Sequence, residues 1–202
     1  MKLRIIFTAL SLASLVGCMT LNLGTRYEYS YKLTKPDSAN GMKWEDDKIA
    51  ISFFVSDKEV DFTLRNKTNE VIKVNWDEAT IVQYGKAGKV MHAGVKYTDR
   101  NESHPSTAVP PGASIDDLLL PSDNVYWREG YYGEYYSNPG GWEENDLFPT
   151  ADFNKAEYKD AILKSKGKSF SIYLPIQYQN KTLDYTFEFV ITDVQPISQG
   201  GH

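Results

Sequence analysis

The chain has 202 residues, with 22 Lys and Arg against 27 Asp and Glu and a formal net charge of −5 at pH 7. That acidic balance lacks the basic footprint that nucleic-acid binding needs, so nucleic acid is excluded as a partner class. Aromatic residues make up 13%, and together with the β-branched residues they favour strands over helices.

Met1-Lys2-Leu3-Arg4 places two positive charges before an apolar run from Ile5 to Val16, broken by Thr8, Ser11 and Ser14. The run is about 12 residues, short of the ~20 that a helix needs to cross a bilayer. The pattern therefore reads as a signal peptide, not as a membrane span. Leu15-Val16-Gly17-Cys18 resembles the lipobox of bacterial lipoproteins, and Cys18 is the only cysteine. The resemblance implies that residues 1–17 are removed and that Cys18 becomes the N-terminus and carries a diacylglycerol thioether. It also implies residence in the bacterial envelope, held by acyl chains such as palmitate. Two or more chains anchor firmly where one binds marginally. Met19 follows the cysteine, where Asp commonly marks inner-membrane retention in that family; in a Gram-negative host this points to the outer membrane. Without Lys2 and Arg4, 20 basic and 27 acidic residues remain, a net of −7. No second cysteine exists, so no intramolecular disulfide forms. The mature 185 residues (202 less 17) suffice for a core without such staples, and one domain is expected.

Cys18 and residues 19–25 read as the lipidated residue and a short tether of at most about 25 Å, followed by a domain over 26–197. Within it, Ile49, Ile51, Phe53 and Val55 alternate with smaller or polar residues, and Val60, Phe62 and Leu64 alternate again. A turn over 56–59 pairs Val55 with Val60, Phe53 with Phe62 and Ile51 with Leu64. A one-residue slip would put these partners on opposite faces. Asn66-Lys67-Thr68-Asn69 is a turn cluster. Strands are then predicted over 71–76, 80–84 and 89–93, with Gly85 and Gly88 marking the turn between the last two. The stretch VDFTLRNKTNEVIKVNW resembles immunoglobulin-like or fibronectin-like accessory domains of envelope proteins, in which a strand ends in an Asn-rich turn and the next returns across the sandwich. The implied fold is all-β, a single immunoglobulin-like β-sandwich. The Cys…Trp…Cys hallmark of antibody domains is absent.

Residues 109–123 read as Pro-rich punctuation around one strand over 114–120. Near the C-terminus, Phe170, Ile172, Leu174, Ile176 and Tyr178 share one face, as do Leu183, Tyr185, Phe187, Phe189 and Ile191. A connection over 179–182 matches the two sets as a hairpin. Pro175 cannot donate a ladder bond, which places it at an edge or a bulge. One short helix is predicted near 155–164, capped by Asn154 with Glu157 in a capping box and Phe153 against Tyr158 as a staple. Gly167 lies just past its end.

Residues 125–149 are the compositional outlier. They hold Tyr126, Trp127, Tyr131, Tyr132, Tyr135, Tyr136, Trp142 and Phe148, and five acids (Glu129, Glu134, Glu143, Glu144, Asp146) against Arg128, a net of −4. Five Gly and Pro residues between 130 and 141 give the segment loop character. Tyr and Trp offer rigid amphipathic contact area, so Tyr126 to Trp142 is the candidate binding surface for an envelope protein or a glycan. The competing expectation is a loop that packs its rings into a satellite core. Glu143, Glu144 and Asp146 lack the spacing of a calcium loop. Glycoside cleavage needs two acids at a fixed separation, which sequence does not reveal.

His92 and His104 are too scattered to supply three or four metal ligands, and His202 sits in a Gly-Gly tail. Asp116-Asp117 reads as part of a turn or strand edge. No serine elbow, zinc-protease motif or phosphate loop occurs, and lipidation consumes the only thiol. These observations name no catalytic residue, metal or cofactor. They point to a non-catalytic lipoprotein with a binding or assembly-support role. A carbohydrate-binding lipoprotein of an uptake system and a lipid-anchored glycan or cell-wall hydrolase are the alternatives.

Overall fold

Alternation of apolar and polar side chains builds most of the molecule. A computed structural model describes residues 24–37 and 39–197. Residues 1–23, with Cys18 and the lipobox-like segment, and 198–202, with His202, lie outside the described residues. The strands are β1 (Tyr27–Lys35), β2 (Lys43–Glu45), β3 (Ile49–Val55), β4 (Val60–Asn66), β5 (Ile72–Val74), β6 (Thr80–Gln83), β7 (Lys86–Met91), β8 (Thr107–Val109), β9 (Ser114–Pro121), β10 (Val125–Arg128), β11 (Tyr131–Tyr132), β12 (Ser137–Asn138) and β13 (Gly141–Glu144). Helix α1 (Ala156–Leu163) precedes β14 (Ser169–Tyr178) and β15 (Lys181–Pro196).

The fold is all-β, two packed layers and one short helix. One layer runs β1-β15-β14, with β6-β7 and β5-β8 sharing the far side of β14; the other runs β2-β3-β4-β9. A two-residue pairing, Val90 with Pro121 and Met91 with Leu120, joins them through β7 and β9. Aromatic rings fill the space between. Phe53 of β3 stands 4.8 Å from Phe187 and 5.1 Å from Phe189 of β15, ring centre to ring centre. Trp44 of β2 meets Tyr185 and Phe187 at 5.6 and 5.7 Å.

The β3–β4 pairs form in the expected register. From there the chain changes layers: β4 lies in one, while β5 pairs with β14 in the other. Asn66 fixes the crossing. It is buried, and its side-chain NH2 donates to the carbonyls of Glu70 (2.7 Å) and Val109 (2.9 Å). Its Oδ1 accepts from the backbone N–H and the hydroxyl of Thr68, at 2.9 and 2.8 Å.

Four expectations need correction. The β14–β15 hairpin turns over Gln179-Asn180 alone, both at positive φ (50° and 59°), so Ile176 faces Leu183 and Phe170 faces Phe189. That register is two residues tighter than a 179–182 connection gives, and a shift of two keeps every side chain on its face. The β6–β7 hairpin likewise turns over Tyr84-Gly85 (φ 51° and 76°), which leaves Gly88 inside β7 opposite Ile81. Pro175 sits in an interior strand and is buried. Its carbonyl accepts the Asn75 N–H at 3.0 Å, so its donor-less nitrogen faces the same side, where the neighbour of β14 changes from β6 to β5. No ladder bond is lost there. Finally, the N-cap of α1 is Lys155, not Asn154. Phe153 and Asn154 are both left-handed (φ 47° and 59°), and Asp152 accepts the Asn154 N–H at 2.9 Å. Phe153 still meets Tyr158 edge-on at 6.4 Å.

Candidate recognition surface

The segment expected to be a loop is a paired hairpin. β10 and β13 run antiparallel, with Tyr126 opposite Glu143 and Trp127 opposite Trp142. β11 and β12 continue it towards the tip. Gly130 and Gly140 form the joint between the two ladders. A Cβ on Gly130 would stand 2.7 Å from the Gly140 nitrogen, and one on Gly140 would stand 3.0 Å from the Arg128 carbonyl oxygen. Only residues without a side chain permit that approach.

Root and tip differ. At the root, Val125 packs with Met91 and Leu120, and Trp142, Tyr97, Val95 and Leu118 pack around them. Trp142 is half-buried, 5.6 Å from Trp127 and 6.2 Å from Tyr97, with the Arg100 guanidinium 4.9 Å above its ring. The Arg128 guanidinium bonds Glu143, whose second oxygen accepts the Tyr126 hydroxyl at 3.0 Å. Lys58 reaches Glu144 at 3.0 Å. At the tip the rings are free of such packing: Tyr131 and Tyr136 are exposed, Tyr132 is 78% exposed and Tyr135 94%. Tyr126 and Trp127 are exposed beside them. The satellite core thus exists, but only under the root, and Phe148 belongs to the main core.

Tyr97 donates its hydroxyl to Glu144. This bond, with burial adding to it, pushes the Tyr97 hydroxyl up to about 12; the same bond, joined by Lys58 and opposed by burial, holds the Glu144 carboxyl below its ordinary range. The brace therefore works within a pH window. The carboxyl is depressed in the folded state, so its contribution is present above about 4.3 and is lost as pH falls through the folded value. The phenol is raised, so its contribution is intact below about 10 and is lost as pH rises towards 12. Tyr97→Phe is expected to lower the melting temperature by a few degrees near neutral pH and to converge with wild type at both extremes. A gap that stays constant in pH titrations of thermal unfolding would mean that the brace contributes nothing.

The remaining polar groups fall into structural roles. His92 and His104, 12 positions apart, adjoin with ring centres 5.6 Å apart, and His92 stacks on Trp76 at 4.3 Å. Spacing did not reveal this contact; Asp77 anchors the segment that carries His104 by accepting the His104 backbone N–H at 2.8 Å and the Ser103 hydroxyl at 2.6 Å. Among the described residues no group of three His, Cys, Asp or Glu is placed to hold a metal ion. Asp116 and Asp117 lie within β9. Asp116 accepts the Thr63 hydroxyl at 2.6 Å and Asp117 the Ala93 N–H at 2.7 Å. A cleft of about 530 Å³ opens at the hairpin base between β6–β7 and the segment after β13, with Tyr84, Lys86, Asp123, Asn124, Asn145 and Asp146 on its walls. No helix among the described residues is long and apolar enough to cross a membrane.

No protein-family model, curated protein or solved structure matches this chain.

Proposed function

We propose that this chain is a non-catalytic lipoprotein of the bacterial envelope, anchored through Cys18, that holds a partner protein on the tip of its aromatic hairpin. One observation carries the recognition role: four tyrosines, Tyr131, Tyr132, Tyr135 and Tyr136, are exposed on a hairpin whose root is packed and ion-paired. A folded domain gains little in stability from four tyrosine rings left largely in water. A rigid base lowers the ordering cost that a partner would otherwise meet. The acids on the hairpin favour a partner with a basic face. The lipobox resemblance carries the address.

The test compares three chains in cells: wild type, Cys18→Ser, and Tyr131→Ala/Tyr132→Ala/Tyr135→Ala. Trp142 is left intact because it supports the root. Cys18→Ser is expected to leave the membrane fraction with no gain of acyl mass. The triple variant is expected to stay lipidated but lose captured partner from solubilised membranes about tenfold or more, since truncating a single hot-spot residue of an interface costs about 2 kcal/mol or more. Equal capture by wild type and triple variant sinks the recognition role, and a membrane-bound Cys18→Ser sinks the anchor. The 530 Å³ cleft, with Tyr84, Asn124 and Asn145 on its walls, favours a second reading, a sugar-binding module. Capture of a glycan that the tyrosine substitutions leave untouched would move the assignment there.

A further inference from the structure

We infer that the flank of α1 beside the point where the chain enters the domain is a docking surface for an anionic lipid bilayer; this rests on the lipid-anchored reading above. The entry point is built, not incidental. Gly24 has φ 87°, and a Cβ there would stand 2.6 Å from both the Phe153 nitrogen and Asp152 Oδ1. The Thr25 N–H donates to Asp152 Oδ1 at 2.8 Å, and the Asp152 N–H donates back to the Thr25 carbonyl at 3.1 Å. The Tyr27 hydroxyl holds Asp152 Oδ2 at 3.1 Å. The Ile197 N–H donates to the Arg26 carbonyl at 2.8 Å. Gly24 is thereby clamped against the segment that opens α1. Five residues separate it from Cys18, and six residue steps reach at most about 22 Å. A bilayer that holds the Cys18 lipid lies within that distance of the helix.

The surface it meets has the matching chemistry. α1 buries only Ile162. Phe153 is 62% exposed, and Tyr158, Leu163 and Ile197 are exposed with it. Lys159 and Leu163, one turn apart, share a flank, and the charge of Lys159 reaches Asp152 at the clamp. Residues 153–168 carry Lys155, Lys159, Lys164, Lys166 and Lys168 against Glu157 and Asp160, a net of +3 in a chain of net −5. Lys166 is engaged by Asp193 at 2.9 Å. At 100° per residue, Glu157 and Asp160 lie further round the helix, on the side turned away from Ile162, with Lys164 between them, so the basic residues left for the docking side of the helix are Lys155 and Lys159. Apolar rings beside lysines are the composition of interfacial helices, and a basic patch is the second signal that strengthens a lipid anchor on an anionic surface. The hairpin over 125–144 has the opposite sign, Arg128 against Glu129, Glu134, Glu143 and Glu144. An anionic bilayer would therefore attract α1 and repel the tyrosine tip, leaving the tip open to a partner.

The experiment uses the full lipidated protein, whose Cys18 thiol is consumed, so that a single introduced cysteine takes a fluorescent label. Leu163→Cys reports on the flank. Val71→Cys, exposed near the opposite end of the sandwich, is the control. Each is reconstituted into vesicles of phosphatidylethanolamine with phosphatidylglycerol, or of phosphatidylcholine alone, both carrying a nitroxide lipid. Flotation reads the anchor and quenching reads the docking. Docking predicts loss of fluorescence at 163 but not at 71 in the anionic vesicles, weakened in phosphatidylcholine and abolished by Lys155→Glu/Lys159→Glu, with flotation unchanged. Floated protein whose two labels are equally bright overturns the docking surface and leaves the anchor standing. Protein that fails to float overturns the anchor and the docking with it.

Discussion

Phe187→Ala is expected to remove about 3–5 kcal/mol of stability, a large part of the 5–15 kcal/mol typical of a domain. Phe187 is fully buried and lies at the meeting of three strands. It touches Phe53 from the facing layer at 4.8 Å, Trp44 at 5.7 Å and its own strand neighbour Tyr185 at 6.3 Å. Opposite it on β14 stands Ile172, itself fully buried. Truncation forfeits the transfer energy of a ring and leaves a cavity that two paired sheets cannot close, because β15 is held on both sides by β1 and β14. Phe54, its counterpart on the outer face of β3, is exposed, and Phe54→Ala is expected to change stability by less than about 0.5 kcal/mol. Urea unfolding measures both. The expected result is a lower midpoint for Phe187→Ala at an unchanged slope. A loss below about 1 kcal/mol would mean that the layers do not pack through this ring.

The contrast between Phe53 and Phe54 was legible in the sequence, because period-two alternation assigns faces directly. Register was legible only where turn length was. The 56–59 turn announces itself through Ser, Asp and Lys, whereas Gln179-Asn180 adopts a left-handed pair without glycine and so hides a two-residue turn. β1 went unread for another reason. Tyr27, Tyr29, Tyr31 and Leu33 alternate, but the partner that makes them a strand is β15, more than 150 positions away.

The candidate sites show the same divide. Composition marked residues 125–149 as unusual, and glycine content marked them as loop. The hairpin is instead braced by Lys58 and Tyr97, whose approach is a tertiary fact. The sequence pattern places Lys155, Lys159 and Lys164 on a predicted helix and nothing more. Their position beside the chain entry depends on Gly24 and Asp152 meeting across the fold, which no local pattern encodes. The adjoining of His92 and His104 is likewise tertiary, with His92 stacked on Trp76 and the His104 backbone held by Asp77.

Asn66→Asp is expected to cost several kcal/mol at neutral pH, on the order of a broken buried polar network. The substitution exchanges one heavy atom, an amide NH2 for an oxygen, at almost unchanged volume. Asn66 uses both amide hydrogens on carbonyls and its oxygen on Thr68, while its backbone bonds Ala113 and Gly112 at 2.9 and 3.0 Å. A carboxylate there keeps the Thr68 contacts but turns a negative oxygen towards the Glu70 and Val109 carbonyls in a site sealed from water. That repulsion and the burial both favour the protonated acid, so the native pKa of the new Asp rises above its unfolded value of about 3.9. The sign follows from linkage. The loss is complete above the raised native pKa and shrinks as pH falls towards 3.9, where the protonated side chain regains one donor. Asn66→Ala, which has no titrating group, is expected to be destabilised equally across that range. Thermal melts of the two variants between about pH 4 and pH 8 should therefore approach each other at the acid end and separate towards neutrality, with Asn66→Asp the less stable. Parallel curves would remove the carbonyl pair from the account of how the chain crosses between the layers.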